Sequence, residues 1–305
     1  MSDVEQLIEG IVTRTIGGLS WVVDEQGIAY ACKLRGRFMQ DRRGQGWERL
    51  LPGDRVRILP LANNEGVIEE ILPRDVTLKR PQVANVTQVL VVVALTQPTP
   101  NLDLLDRLLV LCEYTVGKIV LALNKVDLVD AQVAEEIAAP YVAANYSVVF
   151  TSGVTGQGID ELRRKLAGHV TVLAGESGAG KSSILNCLVP ELKRATQSVS
   201  QRTGRGRHTT RAVELFPISE KGWIADSPGF STLDVHEIPK EALSDYYPEF
   251  AVRRTECRFG ASCLHWREPD CRIKELVESG GLDKGRYERY LRILQDIIEY
   301  EARRY

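Results

Sequence analysis

Residues 170–183 read VTVLAGESGAGKSS, in which an apolar run gives way to Gly175-x-x-x-x-Gly180-Lys181-Ser182. Glycines so spaced let a backbone fold around the β- and γ-phosphates of a nucleotide, with its N–H groups inward at the positive end of a helix dipole. Those groups would come from Gly175, Glu176, Ser177, Gly178, Ala179, Gly180, Lys181, Ser182 and Ser183. The Lys181 ammonium would sit on the phosphates and the Ser182 hydroxyl would meet Mg²⁺. A second signal is Asn124-Lys125-Val126-Asp127. A buried carboxylate at Asp127 can accept from both N1–H and the 2-amino group of guanine, while adenine offers no such pair of donors. Asn124 would hold that loop, the stem of Lys125 would lie along the base, and Thr151-Ser152-Gly153 would bring a backbone N–H to guanine O6.

Two further groups complete the set. In Asp226-Ser227-Pro228-Gly229, Asp226 would hold Mg²⁺ directly or through water, and the Gly229 N–H would sense the γ-phosphate. Thr209 or Thr210 would supply the second hydroxyl to that ion. Cys257, Cys263, His265 and Cys271 fall within fifteen residues. Three thiolates and one imidazole suit a closed, tetrahedral and therefore structural Zn²⁺ site, and clustering of this kind in a cytosolic chain points to metal rather than disulfides.

These groups need elements to carry them. Residues 170–174 have the length and branching of a buried strand, and residues 181–188 the periodicity of a helix. Apolar strands at 86–95, 119–123 and 147–150 alternate with helices at 102–112, 132–144 and 159–166, with Asn101 as a cap for the first. That alternation predicts a doubly wound α/β domain over residues 86–235, with ligands at the carboxyl ends of its strands. Residues 1–72 hold five short strands separated by turn residues, which predicts an OB-type β-barrel. Residues 73–85, with mixed charge and Pro73 and Pro81, read as a linker. Residues 236–305 form the zinc-binding, mostly helical part, whose last helix, near 286–304, sets Tyr287, Tyr290, Leu291, Leu294, Ile297 and Ile298 on one face.

A chain of 305 residues with an apolar share of 44% has room for several domains with real cores. Its N-terminus lacks the apolar stretch of a signal peptide and its longest apolar run, residues 89–95, is too short to span a bilayer, so a cytoplasmic protein is expected. A formal charge of −2 argues against a chain coated in nucleic acid. Eight basic residues between positions 33 and 57 against three acidic ones, and six between 193 and 211 against none, instead suit local docking of a polyanion.

The loops around Asn124, Thr151, Gly175 and Asp226 are similar to those of GTPases, but the base-reading loops precede the phosphate loop, so the domain is circularly permuted. A β-barrel, a permuted GTPase domain and a Cys₃His cluster in that order resemble the RsgA (YjeQ/YloQ) family across essentially the whole chain. The resemblance implies GTP hydrolysis stimulated by the 30S ribosomal subunit in late subunit maturation, with 16S rRNA contacts from the barrel and zinc domain. It also implies an apolar residue, Phe230, where many GTPases carry a water-orienting glutamine, and a catalytic role for His208. A monomer is expected. The alternatives are a nucleotide-gated RNA-binding module with incidental hydrolysis and a P-loop ATPase, the latter disfavoured by Asp127.

Overall fold

The computed structural model describes residues 6–35, 49–79, 81–192, 213–219, 221–226 and 234–304, with Lys79 and Asp226 described by their backbone alone. These residues fall into two compact units, one within 1–88, 163–173 and 185–230, the other within 89–162, 174–184 and 231–305.

The first unit begins with a barrel. β1 (Ile8–Ile16), β2 (Leu19–Asp24), β3 (Ala29–Leu34), β4 (Arg55–Pro60) and β5 (Glu65–Ile71) close in the order β1-β2-β3-β5-β4. Every pairing is antiparallel except β3 with β5, where Cys32 lies opposite Gly66. Strand alternation sends Val12, Val22, Cys32, Val56, Ile58 and Ile68 to the inside, all fully buried. The expected five-stranded barrel is present.

The segment expected as a linker carries a small ribbon, β6 (Thr77–Lys79) paired antiparallel with β7 (Gln82–Ala84). Ahead of it, Arg74 grips the wholly buried Asp54 with two prongs, Nε to Oδ1 at 2.6 Å and Nη2 to Oδ2 at 2.9 Å. Asp54 Oδ2 also accepts from the Leu51 N–H at 2.7 Å, and Asn85 Nδ2 donates to the Gly53 carbonyl at 2.9 Å. The ribbon is thereby fixed to the turn that enters β4.

In chain order there follow β8 (Gln88–Ala94), α1 (Leu102–Thr115), β9 (Ile119–Asn124), α2 (Ala131–Ala143), β10 (Ser147–Thr151), α3 (Ile159–Leu166), β11 (Val170–Ala174), α4 (Lys181–Leu188), β12 (Glu214–Ser219) and β13 (Gly222–Asp226). Within the first unit β13 runs parallel to β11, Ala225 opposite Val172, and antiparallel to β12. The short joint between α3 and β11 is fastened there: the Val170 N–H donates to Thr87 Oγ1 at 3.1 Å, and His169 Nδ1 lies 3.0 Å from the same hydroxyl.

The second unit contains the parallel ladder β8, β9, β10, whose near-continuous apolar sequences are what a strand covered on both faces requires. Val89 to Val92 and Leu121 to Leu123 are at most 0% exposed. Asn101 caps α1, its side chain accepting from the Leu104 N–H at 3.1 Å, and the face of Leu105, Leu108, Leu109 and Cys112 is buried. Beyond residue 234 the unit adds α5 (Pro248–Ala251), α6 (Arg272–Glu278) and α7 (Lys284–Arg303), joined by short 3₁₀ turns. Leu243, Tyr247, Phe250, Ile273, Tyr290, Leu294 and Ile297 form one core with Val110 and Leu111 of α1 and with Cys257, Cys263 and Cys271. Each leucine, isoleucine, valine or phenylalanine side chain among them contributes roughly 1.5–3 kcal/mol by leaving water.

A candidate nucleotide site and a candidate metal centre

The register of the second unit's ladder sets Ala94, Asn124 and Thr151 side by side at the carboxyl ends of β8, β9 and β10. Asn124, 2% exposed, is the knot between the loops that follow. Its Nδ2 donates to the Ala179 carbonyl in the phosphate loop at 2.8 Å, and its Oδ1 accepts from the Gly153 N–H at 3.1 Å. Two glycines make this approach possible. At Gly180, φ 96°, a Cβ would stand 2.1 Å from Asn124 Nδ2, and at Gly175, φ 133°, a Cβ would stand 2.2 Å from the Val92 carbonyl oxygen. Three loops that lie far apart in sequence therefore share one place.

The remaining residues of these loops are set as follows. Lys181 Nζ reaches back over the loop to the Gly175 and Glu176 carbonyls at 2.8 and 2.7 Å. Ser177, Gly178, Ser182 and Ser183 are exposed, the last two serines in the first turn of α4. Lys125 adopts a left-handed conformation, φ 69°, and its Nζ donates to the Gln97 carbonyl. Thr151 and Ser152 are wholly buried. Ser152 Oγ accepts from the N–H groups of Val154 and Thr155 at 3.2 and 3.0 Å, which closes a tight turn. Of the backbone N–H groups of Thr151-Ser152-Gly153, one of them expected at guanine O6, that of Gly153 is held by Asn124.

Asp127 differs from expectation: it lies in a 3₁₀ turn, Val126–Leu128, and is exposed. A base resting on this loop would itself supply the burial that sequence reasoning assigned to the protein. His208, Thr209, Thr210, Gly229 and Phe230 lie outside the described residues, as do the side chain of Asp226 and the basic stretch 193–211.

The metal set is brought together completely. Cys257, Cys263, His265 and Cys271 are all buried, with their ligand atoms within 4.8 Å of one another. The separations are 4.0 Å for Cys257 Sγ to Cys271 Sγ, 3.8 Å for Cys263 Sγ to Cys271 Sγ, and 3.6 and 3.4 Å from His265 Nδ1 to Cys257 and Cys271 Sγ. A tetrahedron with metal–sulfur bonds of ~2.3 Å and metal–nitrogen bonds of ~2.05 Å has edges of ~3.8 Å between sulfurs and ~3.6 Å between sulfur and nitrogen. The four side chains fit a small divalent ion. Burial lowers His265 from 6.5 to about 4, which keeps its imidazole neutral and its lone pair available, and burial pushes the Cys263 thiol up to about 12. A cation at the centre works against that second shift by favouring thiolate.

Two supports of this centre were not legible as such. Glu268 accepts from the N–H groups of Leu264 and Trp266, both at 2.9 Å; burial opposes its charge, yet those and neighbouring N–H groups hold it below the usual carboxylate range. Tyr287 and Tyr290 donate to the His265 and Leu264 carbonyls at 2.7 and 2.9 Å. The only advance signal was Tyr287 and Tyr290 on the apolar face of the last helix.

Comparison with known proteins agrees with this geometry. A sequence profile described as RsgA GTPase matches residues 71–236. The small ribosomal subunit biogenesis GTPase RsgA of Moorella thermoacetica is 46% identical over 294 residues, covering 96% of this chain and 99% of that protein. Its namesake from Caldanaerobacter subterraneus subsp. tengcongensis is 40% identical over 300 residues, 98% of each chain. Among solved structures, YjeQ from Thermotoga maritima superposes with a TM-score of 0.80 at 35% identity, covering 96% of this chain and 99% of that one. YloQ, described as a circularly permuted GTPase, gives 0.81 at 31% identity with 98% of both chains covered.

Proposed function

The chain belongs to the RsgA GTPase family, and on that premise we propose that it hydrolyses GTP to GDP and phosphate in late maturation of the small ribosomal subunit, with turnover stimulated by that subunit. The observation that carries this reading is the Asn124 knot, which joins both base-reading loops to the phosphate loop although they come first in the chain.

In this reading residues 86–235 are a circularly permuted GTPase domain, residues 73–85 connect it to the barrel of residues 1–72, and residues 236–305 form a zinc-binding helical domain. The barrel and the zinc domain meet 16S rRNA. Backbone N–H groups of residues 175–183 and the Lys181 ammonium bind the β- and γ-phosphates, which places fixed positive charge where negative charge grows during transfer. Asp127 takes the N1–H and 2-amino group of guanine, and the Lys125 stem lies along the ring. Ser182, exposed at the start of α4, would hold Mg²⁺ together with Asp226 and one of Thr209 and Thr210, and the ion would supply charge neutralisation to the bound phosphates. Gly229 senses the γ-phosphate, and His208 acts on the attacking water, a task Phe230 has no hydrogen-bonding group to perform. Cys257, Cys263, His265 and Cys271 would hold one Zn²⁺ as a closed set of four protein ligands, and the ion would supply folding energy.

No helix among the described residues is long and apolar enough to cross a membrane, and the reading is of a monomer acting in the cytoplasm. Turnover measured with and without 30S subunits is the test. Strong stimulation, abolished by His208→Ala with nucleotide binding intact, supports the enzyme; absence of stimulation favours a nucleotide-gated RNA-binding module.

A further inference from the structure

The loop after β8, residues 95–98, meets both the loop of Asn124 and Lys125 and the tip of the phosphate loop. The Leu95 N–H donates to the Asn124 carbonyl at 2.9 Å. The Gln97 carbonyl accepts from Lys125 Nζ. Pro98 Cδ stands 3.4 Å from where a Cβ on Gly178 would be, so the tip of the phosphate loop packs against it. Gln97 and Lys125 are both non-glycine residues in the left-handed region, φ 48° and 69°. Such conformations persist where the surroundings enforce them, and they gather at ligand sites.

From this we infer that Gln97 and Pro98 are positioning residues of the nucleotide site, holding Lys125 as a pre-set shelf for the purine ring. The inference rests on the guanine-nucleotide reading above. A lysine ammonium at a loop mouth ordinarily samples many rotamers, and a ligand that uses its stem must first restrict them. With the ammonium bound to the Gln97 carbonyl, the methylenes are laid across the space between the two loops before any base arrives. Pro98 restricts the backbone of Gln97 before it and so helps keep that carbonyl in place, and its contact with Gly178 ties the shelf to the phosphate loop. The chemical class recognised is a flat purine base on a nucleoside di- or triphosphate.

The test is the dissociation rate of mant-GDP from the full-length, metal-loaded chain and from Pro98→Gly, Lys125→Met and the double variant. Lys125→Met keeps an apolar stem and loses the ammonium. Each single change is expected to speed release by about 5- to 10-fold, and the double change by little more than either alone, because both act on the one shelf. Gln97→Gly, which suits φ 48°, serves if Pro98→Gly does not fold, with the same coupling expected. Single-variant rates within about twofold of wild type, or effects that multiply in the double variant, overturn the shelf. A wild-type chain that retains no mant-GDP overturns the guanine reading itself and the shelf with it, whereas wild-type binding with uncoupled variants removes the shelf alone.

Discussion

Asn124 donates from Nδ2 to the Ala179 carbonyl at 2.8 Å, across 55 residues of sequence. Its other amide atom accepts the Gly153 N–H, so one side chain determines the spacing between base recognition and phosphate binding. A nucleotide is a rigid ruler for that spacing, and an error of an ångström at either end is felt at the other.

Asn124→Ala should therefore weaken binding without touching the ligand. It takes the donor from the Ala179 carbonyl and an acceptor from the Gly153 N–H, each change costing ~1–3 kcal/mol where water cannot replace the partner. The mant-GDP Kd is expected to rise by about 10- to 100-fold, with a fall in Tm of a few degrees. A Kd within a factor of two of wild type would mean the loops hold their spacing by other means.

Asp127→Asn should act on specificity alone. The side chain is exposed, so stability is expected to change by no more than about 0.5 kcal/mol. An amide at this position donates where guanine also donates, while the 2-oxo group of xanthine can accept from it. Competition binding should show GTP affinity lost and xanthosine triphosphate affinity gained. Unchanged preference for GTP would remove Asp127 from the base.

The parts that could be read from sequence are those with fixed chemistry at fixed spacing. Gly175 to Ser182, Asn124 to Asp127 and the Cys₃His set each carry a constraint that few other sequences satisfy, and β11, α3 and α4 run over the residues expected. The ribbon β6 and β7 was not legible because three-residue strands show no periodicity, and their meaning lies in Asp54, some twenty residues away. The exposure of Asp127 was missed because a motif names a contact with a ligand and not the burial of the side chain without one. Arg286 and Arg289 were missed because a hydrophobic stripe assigns arginine to the surface. The signal was nonetheless present: Arg286, Tyr290, Ile293 and Ile297 follow the helical repeat of one buried face of α7.

Metal content and acid stability are linked. Purified protein should carry one equivalent of zinc, and a chelator strong enough to remove it should lower the melting of the unit that shares its core with Cys257, Cys263 and Cys271. The direction with pH follows from His265. Its folded value, lowered by burial from 6.5 to about 4, means the unfolded chain binds the proton more readily. Its contribution to stability is present above pH 6.5 and is lost as pH falls toward 4. Because protons compete with the metal for the thiolates and the imidazole, metal release and loss of structure should coincide as pH is lowered, when followed by a zinc indicator and circular dichroism. No zinc found at neutral pH, or zinc removed with no change in stability, would contradict the assignment.

The last prediction concerns charge that the unit has buried. Arg286, 2% exposed, forks onto Glu249 through Nε and Nη2 at 2.8 and 3.2 Å and onto Asp106 through Nη1 at 2.7 Å, while Arg289 Nε meets the other oxygen of Asp106. Two guanidiniums and two carboxylates balance, and they bind α1, α5 and α7 in one lattice. Such a group is stable only while complete, because each ion has given up its hydration. Arg286→Met leaves Glu249 buried without its partner, which should cost ~3–5 kcal/mol and lower the Tm of this unit by roughly 6–20 °C. Arg286→Met with Glu249→Gln should recover part of that loss, since the uncompensated carboxylate and not the missing contact is the larger cost. A Tm change under about 2 °C for the single variant, or a double variant no more stable than the single, would show that water already reaches these charges and that the lattice does not hold α7 to α1.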